Sequence, residues 1–171
     1  VIESEAVVSW NGNTPHVVTV LAFDSTLLQA TAIEPAMRSG EWRPELAPDA
    51  ACVALGLGVR NLVGVRSVQN DSEFASLLFR APIRGKKLGR DKERAFRSER
   101  AFACDVFSVN AEIDRKFVLA PLSFARELFE RESTVNRFEL VTLPGMDEKR
   151  LAEAVNARLA AVGIRARART R

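Results

Sequence analysis

The side chains able to do covalent or metal chemistry are few in this 171-residue chain. There is one histidine, His16, with two cysteines, Cys52 and Cys104, and no tyrosine. His16 follows Pro15 at the start of a Val- and Thr-rich run, where a histidine is structural far more often than it is an acid or base. No GxSxG elbow, HExxH pair or phosphate-cradling GK[ST] turn occurs. "GLGVRNLVG" has its third glycine at the wrong spacing for a dinucleotide loop, and no clear βαβ unit surrounds it. Glu112 and Asp114 stand two apart in "NAEIDRKF" and could share a cation. Arg115 and Lys116 beside them read more simply as a solvated, partly paired turn. Two cysteines without CxxC spacing make no zinc site. Each lies in an apolar, strand-like run, which favours buried free thiols. A single disulfide is the alternative and needs the two Cα atoms within about 7 Å. The expectation is a chain with no catalytic, cofactor-binding or metal-binding residue, and hence not an enzyme.

The other chemistry on offer is charge. The stretch Arg80–Arg100, "RAPIRGKKLGRDKERAFRSER", holds nine Lys or Arg against three acids. It carries +6 in a chain whose net charge is only +3, so the remainder sums to −3. The candidate binding residues are Arg80, Pro82, Arg84, Lys86, Lys87, Arg90, Lys92 and Arg94. Nucleic acid is one partner for such a run, through phosphate neutralisation. Against it, Phe96 is the only stacking aromatic within the stretch, and no helix presents the charges to a groove. A solvated hairpin that discourages edge-to-edge pairing is a second reading. An element that docks an acidic partner, with charge steering the encounter, is the third. The segment alone leaves the last two open.

The elements that position this stretch follow from periodicity. "VIESEAVVSW" (1–10) and "HVVTVLAFD" (16–24) read as strands joined at the turn signal Asn11-Gly12. "STLLQATAIEPAM" can hold a short helix capped by Ser25 and ending before Pro35. "ACVAL" (51–55) is a strand, and "GLGVRNLVGV" one or two helical turns. "EFASLLFRAP" and "RAFACDVFSVN" are strands, so the basic stretch becomes the exposed tip of a long hairpin. From 116 the chain spells strand, helix, strand, helix, strand. "KFVLA" is followed by Pro121 at a helix start. "VNRFELVTL" (135–143) has both faces partly apolar. Asp147 caps a helix with the stripe Leu151, Val155, Leu159 and Val162, and Gly163 stops it before "IRARART". The longest apolar runs, such as "FVLAPL", are far short of the roughly 20 residues of a membrane helix. The abrupt start, straight into a strand, reads as a module cut from something longer.

In their order, these pieces resemble the extracytoplasmic domain of ABC-transporter permeases of the LolC/LolE, MacB and FtsX type. "VIESEAVVSWNGNTPHVVTVLAFD" is similar to the family's opening strands, "MRSGEW" to its small glycine step, and "CVALGLGVRNLVGV" to its glycine-bearing strand-helix block, with Arg60-Asn61 departing from the usual pattern. The sharpest likeness is "DVFSVNAEIDRKFVLAPLSFARELF", with Asp114 and Pro121-Leu122 in the matching places. The resemblance implies an α+β fold of two lobes. A strand-helix Porter-like lobe would comprise 1–16 and 116–171, with its first strand and helix preceding Val1. A strand-rich Sabre-like lobe would be inserted at 17–115. It also implies a periplasmic location on an inner-membrane permease, a cytoplasmic ATPase subunit, a second permease subunit and no cofactor of its own. The hairpin would correspond to the hook with which the lipoprotein-releasing branch docks a periplasmic carrier. Efflux and division permeases are the neighbouring alternatives, and a soluble nucleic-acid-binding protein is the alternative of another class.

Overall fold

The computed structural model describes residues 1–24, 33–38, 42, 44–47, 50–66, 75–83 and 95–170. The expected helix after Ser25 falls largely outside these residues. Chain contacts divide the protein into two compact units, Val1–Glu139 and Leu140–Arg171.

The first unit is α+β, and its centre is a closed barrel. β1 (Ile2–Trp10), β2 (His16–Phe23), β4 (Ala50–Gly56), β5 (Ala75–Pro82), β6 (Phe96–Phe107) and β7 (Phe117–Pro121) form its wall, with β3 (Glu45–Ala47) added on β4. The wall runs β4-β6-β5-β1-β2-β7 and returns to β4. β2–β7 and β4–β6 are parallel, and the other pairs are antiparallel. The barrel wall thus takes β1 and β7 together with strands of the 17–115 stretch. β1 and β2 are joined as their turn signal predicts. Asn11 and Gly12 both have positive φ (47° and 75°), and Asn13 N–H donates to Trp10 O at 2.9 Å. These dihedrals match the twist of a tight hairpin, and Asn-Gly tolerates them best.

Alternation sorts the strand residues into two clusters. Val18, Val20 and Ala22 of β2, Val53 and Leu55 of β4, and Val118 and Ala120 of β7 belong to the barrel core. Their neighbours Phe23, Cys52, Ala54 and Leu119 belong to a second cluster on one outer flank, with Met37, Trp42 and Phe107. A six-stranded barrel is narrow, so side chains must fill it without crowding. Small residues at Ala6, Ala22, Ala81, Ala101, Ala103 and Ala120 meet that need beside Phe79 and Leu77. On β6 the inward set changes from Ala101 and Ala103 to Val106. The change follows a bulge, because β4 pairs Val53 with Ala103 but Ala54 with Asp105. Buried Asp105 accepts the Val106 N–H there at 2.6 Å.

Helices cover both ends of the barrel. α1 (Leu57–Val63) leaves the end of β4, and α3 (Leu122–Leu128) leaves the end of β7. β4 and β7 are antiparallel, so the two helices lie at opposite ends. α3 touches β1, β2, β5, β6 and β7, and Phe124 meets Phe79 edge-on at 5.3 Å. Pro121, with φ −65°, stands at the N-cap of α3, one place before the position expected from sequence. α2 (Ala111–Lys116) packs against α1. Its close approach needs Gly58, since a Cβ there would come within 2.9 Å of Arg115 Cα.

Several expectations are corrected. Cys52 and Cys104 form a disulfide, with Cα atoms 5.6 Å apart, and are not free thiols. Parallel pairing of β4 with β6 brings together two residues far apart in sequence, which strand-like surroundings alone could not reveal. "NAEIDRK" is a capped helix and not a solvated turn. Asn110 Oδ1 accepts from Glu112 N and Ile113 N at 3.1 and 3.0 Å. Asp114 is buried and accepts from Ser108 Oγ and Val109 N, both at 2.8 Å.

The second unit contains α4 (Glu148–Ala161), capped as expected by Asp147, which accepts from Lys149 N and Arg150 N at 3.0 and 3.2 Å. None of its residues is fully buried. Asn156 and Ala168 bond mutually at 2.7 and 3.1 Å. Residues 135–143 and 164–170 do not form the strands expected of them. Periodicity marks a segment able to be a strand, and a strand exists only where a neighbour takes its backbone bonds.

Reducing the disulfide, or changing both cysteines to alanine, is expected to lower stability to urea by about 2–4 kcal/mol. Asp114→Ala leaves the Ser108 hydroxyl and the Val109 amide without their acceptor. It is expected to cost about 1–3 kcal/mol in the same unfolding assay.

Candidate functional site: the root of the basic hairpin

β5 and β6 form the hairpin that the sequence predicts, with Ala75 opposite Ala103 and Pro82 opposite Phe96. The ladder runs one rung further, because Ile83 N–H donates to Ala95 O at 2.8 Å. β1 pairs with β5 only as far as Arg80, and β4 pairs with β6 from Phe102 onward. The rungs Ala81–Arg97, Pro82–Phe96 and Ile83–Ala95 therefore form a two-stranded arm beyond the barrel wall. In the alternation of this ladder, the missing N–H of Pro82 faces the side where β1 no longer pairs. Proline there costs no sheet bond and blunts the open edge.

Among the predicted binding residues, Arg80 and Pro82 are exposed on the outward face of β5. Arg84, Lys86, Lys87, Arg90, Lys92 and Arg94 lie outside the described residues. Buried Leu77, Phe79 and Ala81 alternate with the outward set and anchor the arm to the barrel core. On β6, Arg100 lies diagonally across from Arg80, and its Nη1 reaches Ser76 Oγ at 3.5 Å.

One group was not picked out from sequence as part of the site. Arg97 donates to Glu99 and to Glu130, each at 3.1 Å. The two carboxylates hold the guanidinium proton more tightly than usual, through hydrogen bonds first and their charge second. Arg97 and Glu99, two apart on a strand, share a face, and that half was legible in the spacing. Glu130 comes from the turn after α3 and has φ 51°, so it was not. The trio braces the arm against the end of the barrel that α3 covers.

Among the described residues, this arrangement presents charge and shape. His16 begins β2 opposite Val8. Among the described residues, no group of three or more His, Cys, Asp or Glu is placed to hold a metal. No helix there is long and apolar enough to cross a membrane. A scan against protein-family models and a search of curated proteins find no match to this chain.

Both carboxylates beside Arg97 are partly exposed, so the brace contributes position more than stability. Arg97→Ala is expected to lower global stability by less than about 1 kcal/mol. Hydrogen exchange at the Ile83 amide should quicken, as read by NMR, while barrel amides such as Val20 stay protected.

Proposed function

We propose that this chain is a non-catalytic extracytoplasmic module of an ABC-transporter permease, of the lipoprotein-releasing type. The observation that carries the reading is the two-stranded arm, which extends past the barrel wall and bears the basic connector between Ile83 and Ala95. The arm suits a docking element, since a carrier can engage the exposed Arg80 and Pro82 without touching the barrel core. The disulfide supports a setting on the oxidising side of a membrane. In this reading the barrel is the strand-rich lobe, and Leu140–Arg171 contributes to the strand-helix lobe. A cytoplasmic ATPase and a second permease subunit complete the transporter. Hydrolysis of ATP would move this module through the membrane helices, a coupling between distant states without local chemistry. An efflux or division permease would use the same module with another cargo.

The positive arm would steer an acidic carrier and fix its orientation. Reversing charge at Arg84, Lys86, Lys87 and Arg90 is expected to weaken capture of the periplasmic carrier by roughly tenfold or more, with the circular dichroism spectrum unchanged. Unchanged capture by a folded variant would remove the docking role. If the unaltered protein ignores the carrier and instead binds DNA or RNA with steep salt dependence, a nucleic-acid reading replaces it.

A further inference from the structure

β4 joins β6 only from Phe102 onward, so between Phe96 and Ala101 β6 pairs with β5 alone. The phase of that ladder is set by the Ile83 N–H, which donates to Ala95 O at 2.8 Å. Antiparallel bonds alternate, so Ala95, Arg97, Glu99 and Ala101 turn their backbone groups toward β5. Phe96, Ser98 and Arg100 turn theirs the other way. Among the described residues, no backbone partner takes the N–H and C=O groups of these three. Ser98 and Arg100 are exposed. The two edges of the arm thus differ. Pro82 blunts the β5 edge, whereas no proline interrupts β6. An open edge of this kind is a template for another strand.

The residues along this edge read "FRSER" (96–100), an order that complements itself when reversed. Laid antiparallel about Ser98, a second copy sets Ser98 opposite Ser98, Arg97 opposite Glu99 and Phe96 opposite Arg100. Each Arg–Glu pair joins opposite charges, and each Arg–Phe pair sets a guanidinium against a ring. The backbone agrees with this register. Ser98 exchanges both its bonds with its own copy, and Phe96 exchanges both of its bonds with Arg100. An axis on Arg97 or on Glu99 would instead place like charges directly opposite each other. The operation is a two-fold, so every contact occurs twice and the assembly closes on itself.

We infer that two copies of this chain join through the Phe96–Arg100 edge of β6, in an antiparallel ladder centred on Ser98. β5 and β6 of one copy continue into β6 and β5 of the other as one sheet. The edge that Pro82 protects stays outside it. The Arg97 guanidinium is already held by Glu99 and Glu130 of its own chain, each at 3.1 Å, so it has little freedom left to lose on pairing. The dimer forms whether or not the arm docks a carrier, and it stands apart from the permease reading.

The test is analytical ultracentrifugation of the chain at rising concentration, where the mass is expected to move reversibly from one copy to two. Glu99→Arg sets arginine against arginine at both symmetry-related places, and is expected to weaken dimerisation roughly tenfold or more. Adding Arg97→Glu to that variant exchanges the sides and restores opposite charges, so dimerisation should recover. Ser98→Pro removes the central N–H, which faces away from β5, and should leave a folded monomer by circular dichroism. If Ser98→Pro does not fold, the charge exchange decides alone. A chain that stays monomeric at every concentration would overturn the inference and leave the edge to a strand of another protein. So would a dimer indifferent to Glu99→Arg, or a folded double variant in which dimerisation does not recover.

Discussion

The barrel is closed by two rungs, Ala54–Leu119 and Leu55–Val118, and the rest of the first unit depends on them. They join β4 to β7, each of which also pairs in parallel on its other side. Parallel neighbours cannot be linked by a tight turn, so long connections must bring them together. Closure takes up both strands at once and leaves α1 and α3 at opposite mouths. It also fixes which residues face inward, because a slip of one residue would send Val53, Leu55 and Val118 outward. The bulge at Asp105 and the cross-link at Cys104 sit on the wall beside this closure. They hold β6 where its inward set changes.

The local elements of this arrangement were largely legible in the sequence. Alternation marked the strands, Asn11-Gly12 marked the first hairpin, and Asp147 marked the start of α4. The hairpin at Ala75–Phe107 was legible for the same reason, since two strands with a polar connector have few other ways to pair. Closure was not legible. Nothing in "ACVAL" or "KFVLA" says that one pairs with the other, and the same is true of the β4–β6 pairing that brings Cys52 beside Cys104. The brace on Arg97 escaped because Glu130 reaches it through space. Asp114 was read as solvated from its charged neighbours, whereas the Asn110 cap turns it inward toward Ser108. The segments 135–143 and 164–170 carry a strand's pattern without forming a strand, so pattern alone overstated them.

Charge is kept largely out of the buried clusters of the described residues. The buried clusters are almost wholly aliphatic and aromatic, and their buried aspartates have hydrogen-bond donors at hand. Arg80, at the root of the arm, is exposed on its outward face.

The arm also behaves as a mechanical part. Within the barrel each strand has neighbours on both sides, and bending one means bending several. Past Arg80 and Ser98 only two strands remain, so stiffness drops abruptly at that level. A load applied near Ile83 and Ala95 would flex these last rungs, as a cantilever flexes at its root. The Arg97–Glu130 contact would act as a strut on one side of that root, limiting travel toward α3 and leaving the opposite direction freer.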